Sequence, residues 1–114
     1  MPMLKIQTNV AVAPEAADAV IAEASRTLAA ELGKPERYVM VSLEAQARMM
    51  FGGSPAPLAY LELKSIGLPQ ARTGALSQAL CDLLTRSLGI PGDRVYIEFA
   101  GAEGRMWGWN GSTF

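Results

Sequence analysis

Pro2 offers the least ordinary chemistry in this chain. An initiating methionine is commonly removed before a small residue such as proline, and Pro2 would then carry a free secondary amine. Ordinary α-amino groups titrate near ~8, and proline's is intrinsically more basic. An apolar pocket and a neighbouring cation would be needed to lower it and leave neutral amine, a usable base, near pH 7. Position alone favours the plainer reading, a tolerated second residue.

The other candidates fall away by residue type. The 114 residues include no histidine, so neither Ser-His-Asp nor Cys-His catalysis can be built. One cysteine, Cys81, supports neither a closed zinc site within one subunit nor an intrachain disulfide. It lies in the apolar helical stretch Leu80–Leu84 and reads as a small packed hydrophobe. The carboxylates are scattered, without the pairing a glycosidase needs. Phe51-Gly52-Gly53-Ser54 lacks the fixed spacing of a P-loop or a dinucleotide fingerprint and reads as a loop. No metal or cofactor is implied.

The elements that must position Pro2 read as one motif written twice. A strand, Met3–Thr8, leads to a helix over Pro14–Leu32 with Ala17, Val20, Ile21, Ala24, Leu28 and Leu32 on one stripe. A second strand, Leu58–Ile66, leads to a helix over Gln70–Leu88 striped by Leu76, Ala79, Leu80, Leu83, Leu84 and Leu88. Leu32-Gly33-Lys34-Pro35 and Leu88-Gly89-Ile90-Pro91 stop the helices alike. Each exit feeds another strand, Tyr38-Val39-Met40-Val41 and Arg94-Val95-Tyr96-Ile97. The matching phrases suggest a duplicated βαβ unit. The expected fold class is α+β, a single domain over 1–114 in which tandem βαβ units share a four-stranded mixed sheet with two helices on one face. Ala45–Pro57 is a connection, and the glycine- and aromatic-rich tail Gly101–Phe114 has room for a short strand. In the last main strand Val95, Ile97 and Phe99 point one way, Tyr96 and Glu98 the other. One helical layer leaves a sheet face and edges open, which favours a homo-oligomer.

Composition excludes further classes. Half the residues are apolar, 18% are charged, and the net charge is −1, without the basic excess that phosphate-backbone binding needs. Nucleic acid is therefore not an expected partner. No stretch approaches the ~20 apolar residues of a membrane span, and Met1–Asn9 turns polar too early for a signal peptide. The expected location is the cytoplasm, with non-classical secretion left open.

Pro2-Met3, Thr8-Asn9-Val10, Gly33-Lys34-Pro35, Phe51-Gly52-Gly53-Ser54, Ser65-Ile66-Gly67, Asp93-Arg94-Val95-Tyr96-Ile97 and Gly108-Trp109-Asn110-x-Ser112-Thr113-Phe114 run through the chain from end to end. Together they resemble the macrophage migration inhibitory factor family of the tautomerase superfamily, in its order and nearly at its spacing. The related dopachrome tautomerases fit less well, because Tyr96 and the Trp-Asn-x-Ser-Thr-Phe ending follow the other branch.

The resemblance implies a homotrimer with sites at subunit boundaries and a keto–enol tautomerase acting on phenylpyruvate-like aromatic α-keto acids. Pro2 would be the general base, moving a proton between α-carbon and oxygen. Lys34 and the Ile66 backbone would hold the substrate's carboxylate region. Tyr96 and Glu98 would come from the adjacent subunit, and Met3, Tyr38, Trp107, Trp109 and Phe114 would wall the ring. On residue type alone, Lys34 is equally a helix-end cation, and Trp109 and Phe114 core or interface aromatics. Three departures matter. Glu98 replaces a vertebrate asparagine, bringing a carboxylate close to an anionic substrate. Leu58-Ala59-Tyr60-Leu61 replaces the vertebrate Cys-x-x-Cys pair and removes its thiol chemistry. Val12 and Gln46 replace the arginine and aspartate linked with receptor binding, which puts cytokine signalling in doubt. The alternative function is a cytokine-like or binding protein that keeps the pocket without physiological catalysis.

Overall fold

Leu4 and Ile6 alternate with Met3, Lys5 and Gln7, the period of a strand with one buried face. In the computed structural model, which describes residues 1–114, they form β1 (Met3–Thr8), with Leu4, Ile6 and Thr8 fully buried. Helix α1 follows at Pro14–Leu32, the bounds its stripe and stop signals predict. Pro14 stands in its first turn, where a missing N–H costs nothing. Gly33 ends it at φ 61°, left-handed backbone that a side chain would strain. The chain then makes a 3-10 turn at Glu36–Tyr38 and enters β2 (Met40–Glu44). The second copy has β3 (Ala59–Ile66), a 3-10 turn at Gln70–Arg72, α2 (Thr73–Leu88) and a left-handed Gly89. Another 3-10 turn at Gly92–Arg94 leads into β4 (Val95–Ala102). Gly89 lies 56 positions after Gly33, and the turns at 92–94 lie 56 after those at 36–38.

Pairing joins the copies back to back in the order β2-β1-β3-β4. Each βαβ unit is parallel within itself, β1 with β2 and β3 with β4, while β1 and β3 meet antiparallel. Both helices cover one face, as expected. The core is a single cluster in which Leu4, Ile6, Leu61 and Leu63 of the sheet meet Val20, Ala24 and Leu28 of α1 and Leu76, Leu80, Leu83 and Leu84 of α2. Val95, Ile97 and Phe99 lean on that cluster, whereas Tyr96 and Glu98 are exposed on the opposite face. Two surface ion pairs, Arg72–Glu31 at 2.6 Å and Arg86–Glu23 at 2.8 Å, link the antiparallel helices. Such pairs contribute roughly 0–1 kcal/mol each, so apolar burial holds the layers together.

Several boundaries differ from the sequence reading. α2 starts at Thr73 rather than Gln70 because the chain after Pro69 first winds a tighter turn, Arg72 N–H donating to the Pro69 carbonyl at 2.9 Å. Tyr38 belongs to a similar turn, with its N–H on the Pro35 carbonyl, so β2 starts only at Met40. The sheet face that the helices leave open is polar along its middle. Its strand register sets Ser42, Lys5, Glu62 and Glu98 in one row across the four strands.

Leu61 is fully buried on a central strand, so truncation leaves a cavity the two-layer core cannot close easily. Leu61→Ala is expected to destabilise the protein by about 3 kcal/mol, read as a lower urea midpoint with unchanged slope at fixed protein concentration. A loss below ~1 kcal/mol would show that the helices collapse onto the gap.

Candidate active site

Pro2 precedes β1, and its carbonyl accepts the Met40 N–H at 3.0 Å, one rung beyond the β1–β2 ladder. The terminal segment is thereby fixed at the sheet end. Pro2 itself is buried and stands in the wall of a cavity of about 310 Å³, within the ordinary range for small-molecule sites. Met3 and Met40 line it from the strands, Arg37, Tyr38 and Val39 from the turn after α1, and Trp107, Gly108, Trp109 and Phe114 from the tail.

The tail is placed by a tight hairpin. β5 (Gly108–Trp109) and β6 (Ser112–Thr113) pair antiparallel across Asn110-Gly111, both at positive φ (52° and 75°). This is the type I′ turn that Asn-Gly favours between twisted strands. It stacks Trp109 on Phe114, centroids 5.3 Å apart and planes within 18°. Tyr38 presents its edge to both, at 5.8 and 5.9 Å. The Phe114 N–H donates to the Trp107 carbonyl at 3.1 Å and ties the end of the hairpin to the wall. Three aromatic rings in stacked and edge-to-face contact are a preorganised surface for a flat apolar group.

Burial and a nearby cation both act on the terminal amine of this cavity. The Met1 terminal amine, which lies in the cavity, is held below the usual α-amino range by burial first and by the Lys34 charge second. Lys34 sits just past the αL end of α1, its own N–H on the Ala29 carbonyl at 3.0 Å. The guanidinium of Arg37 lies over the Tyr38 ring at 4.7 Å, and no carboxylate side chain lines the cavity.

One subunit thus brings together Pro2, Met3, Tyr38, Trp107, Trp109 and Phe114, with Lys34 close to the terminal amine but outside the lining. Ile66, the last residue of β3, pairs with Ala102 and is outside this lining too. Tyr96 and Glu98 lie elsewhere: Tyr96 lines a second apolar hollow of about 380 Å³, and Glu98 stands on the open sheet face. The Tyr60 hydroxyl contacts the carboxylates of Glu62 and Glu98 at 3.3 Å each, and burial together with the two carboxylates raises its pKa. Glu98 is therefore aimed along the sheet toward Tyr60. Arg37 and Met40 went unnoticed in the sequence reading. Arg37 was legible in one respect, since it precedes Tyr38 in the turn that follows Lys34.

A hairpin tail closing an aromatic-walled cavity over a duplicated βαβ sheet defines a protein of the tautomerase fold. The model of the macrophage migration inhibitory factor family matches residues 1–114, and the chain belongs to that family. The Xenopus laevis macrophage migration inhibitory factor is 36% identical over 115 residues, covering 100% of this chain and 99% of the relative. The Brugia malayi homologue is 39% identical over 117 residues, with the same coverage. Among solved structures, the macrophage migration inhibitory factor homologue from Prochlorococcus marinus is 45% identical with a TM-score of 0.94, covering 98% of each chain.

The hairpin's role in the wall can be read separately from any reaction. Gly111→Val places a β-branched residue at φ +75°, where strain of about 1–3 kcal/mol falls on a two-residue turn. The expected outcome is a red-shifted, more acrylamide-quenchable tryptophan emission with unchanged far-ultraviolet dichroism. Unaltered quenching would mean the tail holds its place without the turn.

Proposed function

We propose that the protein is a keto–enol tautomerase of phenylpyruvate-like aromatic α-keto acids, with the Pro2 amine as general base. The observation that carries this reading is the placement of a buried Pro2 in an aromatic-walled cavity where burial and Lys34 already depress the neighbouring terminal amine. After removal of Met1, the Pro2 nitrogen becomes the terminal amine in that environment and is neutral at a lower pH than in water. It takes the proton from the carbon between the ring and the keto group. Electrons from the broken C–H bond form the enol double bond, and the prolinium delivers the same proton to the carbonyl oxygen, directly or through a water, which restores the neutral amine; the reverse reaction retraces these steps. Lys34 opposes the substrate carboxylate, and Tyr38, Trp109 and Phe114 hold the aromatic ring. Dopachrome-type substrates carry the same pairing of carboxylate and flat ring.

The same reading assembles three copies with sites at their boundaries. Tyr96 and Glu98 are outside the cavity lining of their own subunit and exposed, so they are free to complete a neighbour's site, while the Ile66 backbone lies at the end of β3 beside the start of β1 and stays with its own subunit's Pro2. A homotrimer is the assembly the family relationship supports. The rival reading is a binding protein without catalysis, which applies to any molecules that keep Met1, because their Pro2 nitrogen is an amide.

Intact mass and activity measured on one sample separate these readings. Processed protein should turn over phenylpyruvate, a Met1-retaining form should be nearly inactive, and Pro2→Gly should lose at least about tenfold in activity with its assembly intact. Full activity in a homogeneous Met1-retaining preparation defeats the mechanism.

Burial first and the Lys34 charge second lower the pKa of the Met1 terminal amine, and the Pro2 amine would take that place after processing. Removing the Lys34 charge raises that pKa, so the free base appears only at higher pH. Lys34→Ala should therefore move the acid limb of the pH–rate profile upward and raise KM for phenylpyruvate. Neither quantity moving would reduce Lys34 to a helix-end cation.

A further inference from the structure

Three separated phrases of the sequence meet in one place outside the cavity. Phe51-Gly52-Gly53-Ser54 forms a tight turn, Phe51 and Ser54 exchanging both backbone hydrogen bonds at 3.0 Å with Gly52 and Gly53 at positive φ. The chain then runs through Pro55, Ala56 and Pro57 to β3, without a ladder partner for its carbonyls. Side chains supply the donors instead. Arg94 Nη1 donates to the Phe51 carbonyl at 2.7 Å, Nη2 to those of Ser54 and Ala56 at 2.9 Å each, and Nε to that of Pro57 at 3.3 Å. Asn9 Nδ2 donates to the Pro55 carbonyl at 2.7 Å, and Asn9 Oδ1 accepts the Leu58 N–H at 2.9 Å. The Thr8 hydroxyl donates to the Leu58 carbonyl at 2.7 Å.

Arg94 is the centre of this arrangement. It has no carboxylate partner among the ion pairs; its charge is spent on carbonyl dipoles and on the Phe51 ring, 5.1 Å from the guanidinium carbon. A planar guanidinium with five donors suits four carbonyls spread across seven residues, and an ammonium with three donors does not. The clamp holds Phe51 against Tyr96, ring centroids 4.6 Å apart. Tyr96 is 65% exposed even with Phe51 against it, and Phe51 is its one aromatic contact.

We propose that Arg94 is a positioning residue of the active site: by clamping the 51–57 loop it fixes Phe51, and through Phe51 it fixes the Tyr96 ring that completes the neighbouring subunit's cavity. This rests on the reading that Tyr96 reaches such a site. A loop held only for stability would not transmit to substrate binding, whereas a positioned wall does so through KM, with the base untouched.

The test combines a kinetic cycle with a spectroscopic readout. Arg94→Met is expected to raise KM for phenylpyruvate roughly tenfold, with kcat within about threefold and the acid limb of the pH profile in place. Arg94→Lys, which keeps a cation and so the fold should Arg94→Met lose it, and Phe51→Leu should move KM the same way by less. In a Tyr96→Ala background Arg94→Met should add nothing further, because its route to the substrate is gone. An undiminished KM effect in that background, or an unchanged KM in folded Arg94→Met, overturns the proposal. Protein carrying 3-fluorotyrosine gives a fluorine resonance for each of its three tyrosines, Tyr96 being assigned by its loss in Tyr96→Phe. That resonance should shift in Arg94→Lys and Phe51→Leu while Tyr38 stays. A fixed Tyr96 resonance overturns the positioning role. A shifted resonance in a protein without tautomerase activity overturns the proposed function instead, and with it the place of Tyr96 in a site.

Discussion

The Met40 N–H donates to the Pro2 carbonyl at 3.0 Å, and that one bond makes the start of the chain part of a sheet. Termini fray unless something ties them down. Here the proline ring restricts φ, the carbonyl is held by the neighbouring strand, and the ring is buried. The ring nitrogen therefore has little freedom left. A base must stand at hydrogen-bond range from the proton it takes, and a loosely held terminus could not meet that demand. The cavity walls depend on the same rung, because Met40, Val39 and Tyr38 follow one another along the segment that supplies it.

Duplication makes this arrangement and then breaks its symmetry. Shifted by 56 positions, Pro2 falls on Leu58, Met3 on Ala59 and Met40 on Tyr96, and those three residues line the second hollow. Each half of the fold thus opens a pocket where its first strand begins. The first half has a terminal amine there, and the second has a loop arriving from Phe51 through Pro57. A backbone nitrogen in mid-chain is an amide and cannot serve as a base. What the second half does with the equivalent position is support an aromatic ring, Tyr96 against Phe51.

Much of this was legible because it depends on local chemistry. The stripe Val20, Ala24, Leu28 and the stop at Gly33 fix α1 without reference to the rest of the molecule. The repeated Leu-Gly-x-Pro exit shows the duplication for the same reason, since both copies end in the same left-handed glycine. Tyr38 and Gln70 were misassigned because a 3-10 turn uses the same residue types as the first turn of a helix or the approach to a strand. The hairpin of the tail was written plainly in Asn110-Gly111, yet strands of two residues carry no periodicity to read. The clamp around Arg94 was not legible at all. Its four carbonyls belong to the backbone, which is the same for every sequence, and Asn9 comes from more than forty positions away.

The polar open face changes what must drive assembly. Lys5, Ser42, Glu62 and Glu98 gain little from being covered, and like charges such as Glu62 and Glu98 side by side resist desolvation. The large apolar groups left exposed stand mostly at the two hollows: Met40, Trp109 and Phe114 around the first, Met50 and Tyr96 around the second. In the proposed trimer, a head-to-tail contact would set the first hollow of one copy against the second hollow of the next and cover both. In that arrangement the proposed catalytic cavity gains Tyr96 as its outer wall, and assembly and substrate enclosure become a single event. Within each copy Lys5 stands opposite Glu62, Lys64 lies 3.9 Å from the Glu62 carboxylate, and the Tyr60 hydroxyl keeps Glu98 directed along the sheet, so the row's charges are partly offset before any contact forms.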